Sequence, residues 1–196
     1  MGQAYTINDC GIKGSGTLED PYLINSAEDW KIMSIFQSGN VAGASDINLT
    51  GKYVKLTADI SVGEYMLGAD NPFRGIFDGN GHTVTYRFKI PTDHVPVLYN
   101  YRAPFRFLGD GAVIKNLHVT GLIESYQKYN AGLVSEVKED ATVTISNCRV
   151  SMTLNEYGPR DADATNGGIV AHTCKGSLNP PQRLSLVVLQ KTNSRN

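Results

Sequence analysis

Apolar residues along this chain recur at every second position over short runs. Tyr53-Val-Lys-Leu-Thr57 and Val84-Thr-Tyr-Arg-Phe-Lys-Ile90 alternate in this way, which sends successive side chains to opposite faces of a strand. Val, Ile, Leu and Thr dominate these runs, and 20 glycines break them up as turns do. A helical period occurs in one place. Trp30, Met33 and Phe36 share a face, with Ile32 and Ile35 beside it. Ahead of them, Ser26-Ala-Glu-Asp29 has the layout of a capping box, with Asp in place of the usual Glu or Gln, and Gly39 closes the run. The pattern predicts an all-β chain with one early α-helix near 26–38.

The strands repeat. Ile114-Lys-Asn-Leu-His-Val119 matches Ile145-Ser-Asn-Cys-Arg-Val150 at an offset of 31, and Ala131-Gly-Leu-Val134 matches Gly167-Gly-Ile-Val170 at an offset of 36. Pro104-Phe-Arg-Phe107 reads as a diverged earlier copy of the second block. Val84, 30 residues before Ile114, reads as opening the same position one repeat earlier. Repeats of about 30 residues that each bury one apolar row are the mark of a β-solenoid. Within Ile-x-Asn-apolar-x-Val, the apolar residues point inward while Lys115, His118, Ser146 and Arg149 face water. Asn116 and Asn147 fall at a turn, either as simple turn formers or as a side-chain ladder between repeats.

A family resemblance rests on four motifs in order. These are Gly14-Ser-Gly-Thr-Leu-Glu-Asp-Pro-Tyr-Leu-Ile24, the Ser26–Phe36 helix, Tyr53-Val-Lys-Leu-Thr-Ala-Asp-Ile60 and Phe73-Arg-Gly-Ile-Phe-Asp-Gly-Asn-Gly-His-Thr-Val84. Their order resembles the start of the GLUG-type right-handed β-helix proteins of bacterial cell surfaces, and the blocks after Ile114 resemble that family's following coils. The resemblance covers about residues 14 to 174. It implies an all-β, right-handed parallel β-helix of few coils with an N-terminal capping α-helix. It also implies an adhesin-like binding or spacer module, which is cell-surface or secreted.

Composition narrows the range of functions. Charged residues make up 19% of the 196, and 18 Lys+Arg stand against 19 Asp+Glu, for a net charge of -1. That balance excludes a dedicated nucleic-acid binder, which needs a basic surface. No run reaches the roughly 18 apolar residues of a membrane span. The first residues, MGQAYTINDCGIKGSG, lack the basic flank and apolar stretch of a signal peptide, which keeps a cytoplasmic location open as the alternative. Met1-Gly2 with Thr6 fits the short N-myristoylation pattern, but a Met set ahead of a truncated secreted protein is the plainer reading.

Residues 1–13 read as an N-terminal extension, 14–174 as the β-helix domain and 175–196 as a basic tail, serving as end cap or non-native segment. The tail holds four basic residues and no acidic one, which leaves -5 on residues 1–174. Leu184-Ser-Leu-Val-Val-Leu189 has the apolar character of a strand that covers an end or pairs with a second copy, giving a homodimer through solenoid ends.

The chemistry-bearing residues form no catalytic motif. Cys10, Cys148 and Cys174 have no CxxC spacing, and Cys148 and Cys174 sit among apolar residues as core side chains do. Asp78-Gly-Asn-Gly81 has part of a calcium loop without its terminal Glu and reads as a turn. Asp110, Glu124, Glu136 and Asp140 are carboxylates of the type glycan-cleaving enzymes pair, though nothing in the sequence pairs them. His82, His94, His118 and His172 read as surface or turn residues. No cofactor or metal is implied.

The stronger signal is where the loops fall. Pro91–Ala103, Glu124–Asn130 and Asn155–Asn166 occupy the same place in successive repeats and should emerge along one side. They carry Tyr99 and Tyr101, Tyr126 and Tyr129, and Tyr157, with Arg102, Lys128 and Arg160 among the charges beside them. Tyrosine joins an apolar ring to a hydrogen-bonding tip at low entropy cost, which suits a binding surface. The opposing reading has these rings packing beneath their own loops. The expectation is a non-catalytic recognition module that binds a glycan or protein through these loops. The alternatives are an intracellular or mobile-element protein that blocks a protein partner, a polysaccharide-active enzyme, and a plain spacer.

Overall fold

A computed structural model describes residues 5–39, 49–89, 101–125, 129–156, 165–173, 177–179 and 185–186. The chain is mostly β, with parallel sheets and, among the described residues, one α-helix. In order, the elements are β1 (Tyr22–Ile24), α1 (Ala27–Ser38), β2 (Tyr53–Leu56), β3 (Ile60–Gly63), β4 (Ile76–Asp78) and β5 (Thr83–Lys89). Then come β6 (Phe105–Leu108), β7 (Val113–Lys115), β8 (His118–Ser125), β9 (Asn130–Ala131) and β10 (Val134–Val137). The last are β11 (Thr142–Ser146), β12 (Arg149–Glu156), β13 (Asn166–Gly167), β14 (Val170–Thr173), β15 (Ser177–Asn179) and β16 (Ser185–Leu186). No helix among them is long and apolar enough to cross a membrane.

The first sheet runs β1-β2-β4-β7-β11-β15, the second β3-β5-β8-β12-β16 and the third β6-β10-β14, while β9 pairs with β13. Every strand pair is parallel. From β4 onward the chain enters the first, second and third sheets in that fixed order. Parallel neighbours joined through other sheets need long crossovers; the one between β1 and β2 carries α1, and from β4 onward the described parts of each crossover are strands.

The repeats read from sequence are the register of these sheets. Ile145 pairs with Ile114, Val150 with Val119, Gly167 with Ala131 and Val170 with Val134. The segment around Phe105 does precede these in the third sheet, but two residues out of the expected alignment: Phe105, not Phe107, pairs with Val134, and Phe107 pairs with Glu136. The Val84 alignment needs correction. Val84 pairs with Val119, and Ile114 pairs with Phe77. Asp78 lies opposite Lys115 and Thr83 opposite His118, so Gly79-Asn-Gly-His82 makes a turn two residues longer than Asn116-Leu117. The extra length sits wholly in that corner.

The core is one apolar cluster. Ile114, Leu117 and Val119 are buried, as are Ile145, Cys148 and Val150, while Lys115, His118 and Arg149 are not. Helix α1 begins where the sequence predicts: the Asp29 amide donates to the Ser26 hydroxyl at 3.1 Å. The Asp29 carboxylate accepts from the Asn25 amide at 2.9 Å, one residue earlier than a standard capping box. Gly39, at φ 74°, ends the helix in the left-handed region. Trp30 packs edge-on against Phe77 and Phe105 with centroids 5.7 and 5.8 Å away, and its indole N–H donates to the Tyr65 carbonyl at 2.9 Å. Residues 5–13, set apart in sequence, place Ile7 and Ile12 in the same core.

The asparagines act both as turn formers and as a ladder. Asn116 (φ 54°) and Asn147 (φ 49°) occupy the left-handed region, which Asn tolerates better than most residues. Asn147 Nδ2 donates to Asn116 Oδ1 at 2.8 Å, and Asn116 Nδ2 donates to Asp78 Oδ1 at 3.0 Å. Burial pushes the Asp78 carboxyl up, but Asn116, the Asn80 amide and Lys115 together hold it below its ordinary value. Such a carboxylate contributes stability above its unfolded pKa and loses it as pH falls through the folded pKa. Asn116→Ala removes two hydrogen bonds and strains the turn, for an expected loss of about 2 kcal/mol at neutral pH by urea denaturation. Asn116→Gly, which keeps the turn, should lose less. The gap from wild type should narrow in acid as Asp78 protonates, and a gap unchanged in acid would refute a role for the ladder's charge.

Candidate functional site

The third sheet and the corner before it gather an aromatic and cationic row. Glu136 lies in register with Phe107 on one side and His172 on the other. Upstream, Asn130 bridges Arg102 and pairs with Asn166, so the preceding residues Tyr101 and Tyr129 fall into line. Tyr129 adopts φ 59°, an unfavourable conformation for a bulky side chain. There its ring stacks on Tyr101, with centroids 5.1 Å apart and planes 23° from parallel, and lies 4.5 Å from the ring of His172. Tyr101 in turn meets the Phe107 ring edge-on at 4.9 Å. All four rings are half-buried.

Charges are woven through the rings. Lys138 Nζ sits 3.6 Å from the centroid of Phe107 and 2.6 Å from Glu136 Oε1. Glu136 is only 4% exposed, and its second oxygen lies 3.6 Å from His172 Nδ1. The Arg106 guanidinium lies 5.0 Å from the Phe107 centroid and 5.7 Å from that of Tyr101, and its Nη1 donates to the Ala69 carbonyl at 3.3 Å. Its Nε is buried without a hydrogen-bond partner. Burial, with Arg102 adding to it, works against the charge on Arg106. On the next strand, opposite Arg106, the wholly buried Ser135 hydroxyl also lacks a partner.

Of the residues singled out in sequence, the structure brings Tyr101 and Tyr129 together. Arg102 turns inward instead: it is buried, with its guanidinium 3.8 Å from the Phe88 centroid. Tyr99, Tyr126, Lys128, Tyr157 and Arg160 lie outside the described residues. Phe107, Arg106, Lys138, Glu136 and His172 were not read as binding-site residues. The offset of 36 that aligns Ala131 with Gly167 also aligns Glu136 with His172, so extending the repeat two residues beyond Val134 and Val170 finds that pair.

The other candidates have structural work. Asp78 Oδ1 accepts from the Asn80 amide and Asn116, and its Oδ2 lies 3.3 Å from Lys115 Nζ, so the turn's own donors occupy the oxygens a cation would need. Among the described residues no group of three or more His, Cys, Asp and Glu could hold a metal ion. Asp110 accepts the Thr142 amide, and Glu124 lies 3.3 Å from Lys89. Asp140 takes a left-handed turn conformation, at φ 58°. Desolvation pushes the buried Cys148 thiol up to about 11, which makes it a poor nucleophile at neutral pH. His118 stands between the hydroxyls of Ser151 and Thr83, at 3.2 and 3.4 Å, on the outer face of the second sheet. Burial, helped by Arg149 and opposed by Asp59, lowers its pKa and favours a neutral imidazole.

No protein-family model matches the chain, and comparisons with curated proteins and with solved structures give no significant match.

Proposed function

We propose that the chain is a right-handed parallel β-helix of few coils, capped at its N-terminal end by α1, and of the GLUG type. In this reading it is a non-catalytic, adhesin-like module that recognises a ligand at a bacterial cell surface. The fixed order in which the chain enters three parallel sheets supports the architecture, as do the Asp78–Asn116–Asn147 ladder and the aromatic packing beneath α1.

One observation carries the functional part: the row Phe107, Tyr101, Tyr129 and His172 brings four aromatic rings together, each only half-buried. Aromatic rings with polar tips, flanked by Lys and Arg, are the residues on which binding energy concentrates. The strained backbone at Tyr129 is held where it contributes to that row.

The test is binding to a panel of bacterial and host glycans and mucin-type proteins. Tyr101→Ala and Tyr129→Asn, the latter chosen because Asn tolerates the left-handed turn, should each weaken binding by about tenfold or more while leaving the unfolding midpoint near wild type. Binding indifferent to both substitutions, or no binding across the panel, would overturn the reading.

A further inference from the structure

Resting on that recognition reading, we infer that the ligand of the aromatic row is an anionic glycan, a chain of sugars bearing carboxylates, rather than a neutral one. The argument begins with what the rings have left to offer. A neutral pyranose binds best against an open ring face. Here Tyr101 and Tyr129 spend faces on each other, Tyr129 also meets His172, and Lys138 lies over the face of Phe107. Each of these rings therefore gives up at least one face to a neighbour rather than keeping both as platforms.

The groups around those rings are donors. Arg106 holds a guanidinium beside Tyr101 and Phe107, with a buried Nε that lacks a hydrogen-bond partner. Lys138 lies on the same two rings, 6.0 Å from the centroid of Tyr101. His172 closes the row at the far end. The carboxylate within the row, Glu136, is buried and faces Lys138 with one oxygen and His172 with the other. Asp70 favours the charge on Arg106. A carboxylate meets a guanidinium and an ammonium with charge-assisted hydrogen bonds that a sugar hydroxyl cannot equal.

Carboxylates also occur on acidic protein surfaces, but the row is poorly suited to a protein partner. The fully buried core of a protein interface is more apolar than its rim. Among the described residues, the exposed large hydrophobics are Tyr5, Leu18, Ile35 and Tyr65, none of them in this row. A narrow, donor-rich strip that follows neighbouring strands suits an extended polyanion.

The experiment uses the full chain and immobilised polygalacturonate. It is compared with the same polymer after its carboxyls are reduced to alcohols, and with poly-glutamate. The expected result is binding to polygalacturonate that falls at least tenfold on carboxyl reduction. Binding should also weaken as sodium chloride rises, and about tenfold in both Arg106→Gln and Lys138→Gln. A matched loss in Tyr101→Ala would tie the polymer to the row. Equal binding of the reduced polymer, still lost in Tyr101→Ala, would overturn the anionic inference and leave the recognition reading standing. Equal or tighter binding of poly-glutamate would overturn the assignment to a glycan. Binding unmoved by Tyr101→Ala, or no binding to any of the three, would count against this use of the row. If the glycan and mucin panel is silent as well, the recognition reading falls with it. Circular dichroism and the unfolding midpoint of each variant separate lost binding from lost folding.

Discussion

Trp30→Ala should destabilise the protein by about 3–5 kcal/mol, enough to leave a marginally stable domain largely unfolded. Trp30 is wholly buried, so the substitution empties the largest side chain of the core. Its ring meets Phe77 of the first sheet and Phe105 of the third edge-on, and Phe105 in turn touches Phe73. Collapse into the space would require three phenylalanines from separate segments to move together, and close packing resists that. The indole N–H also satisfies the Tyr65 carbonyl. Trp30→Phe refills part of the volume but leaves that carbonyl unpaired, so it should fall between wild type and Ala. Urea or guanidinium unfolding followed by circular dichroism gives the order. An Ala variant within 1 kcal/mol of wild type would show that α1 docks without depending on its tryptophan.

The second large effect is expected at a residue with no side chain. Gly121 lies inside β8 with φ 131°, a conformation that side-chain-bearing residues rarely adopt. Tyr86 of β5 is its register partner, and a Cβ added to Gly121 would collide with the Tyr86 carbonyl oxygen. Because β8 lies between β5 and β12, it cannot move away from one neighbour without disturbing the other. Gly121→Ala should therefore cost on the order of 3 kcal/mol, from strain and overpacking together. Gly111→Ala is the control. Gly111 also has a positive φ, 78°, but open space where its Cβ would sit, so only conformational strain of about 1 kcal/mol applies. Equal losses at the two sites would show that the close approach to Tyr86 is not what selects glycine at 121.

What the sequence disclosed follows from which constraints are local. Alternation along 53–57, the Ser26 cap and the Gly39 stop depend on neighbours in the chain, and each reappears in the structure. The blocks at 114 and 145 match because stacked neighbours bury the same row, so selection on one position acts on its partner. Val84 was misaligned because a corner can lengthen without moving the strands on either side of it. Arg102 shows the limit of reading exposure from residue type. Its charge suggested a surface role, but its stem and guanidinium lie flat against Phe88, where an arginine can pack like an apolar side chain. Tyr101 and Tyr129 were legible as loop tyrosines. Lys138, Glu136 and His172 were not, because a sheet register across 36 positions is what brings two of them to one place.

That register also bears on how the protein is made. The paired strands lie close in sequence, from 23 positions apart for Tyr53 and Ile76 to 37 for Ile76 and Val113. No pairing among the described residues joins the two ends of the chain. Each strand can therefore find its partner once only a few dozen more residues have left the ribosome, laying itself on an edge already formed. The exception is Trp30, which must wait for Phe105, 75 positions later, to complete its packing. Assembly then runs in the direction of synthesis. A ribosome stalled soon after β8 would present a partly built protein whose newest edge is open to the next strand of its own chain, or to any other chain that arrives first.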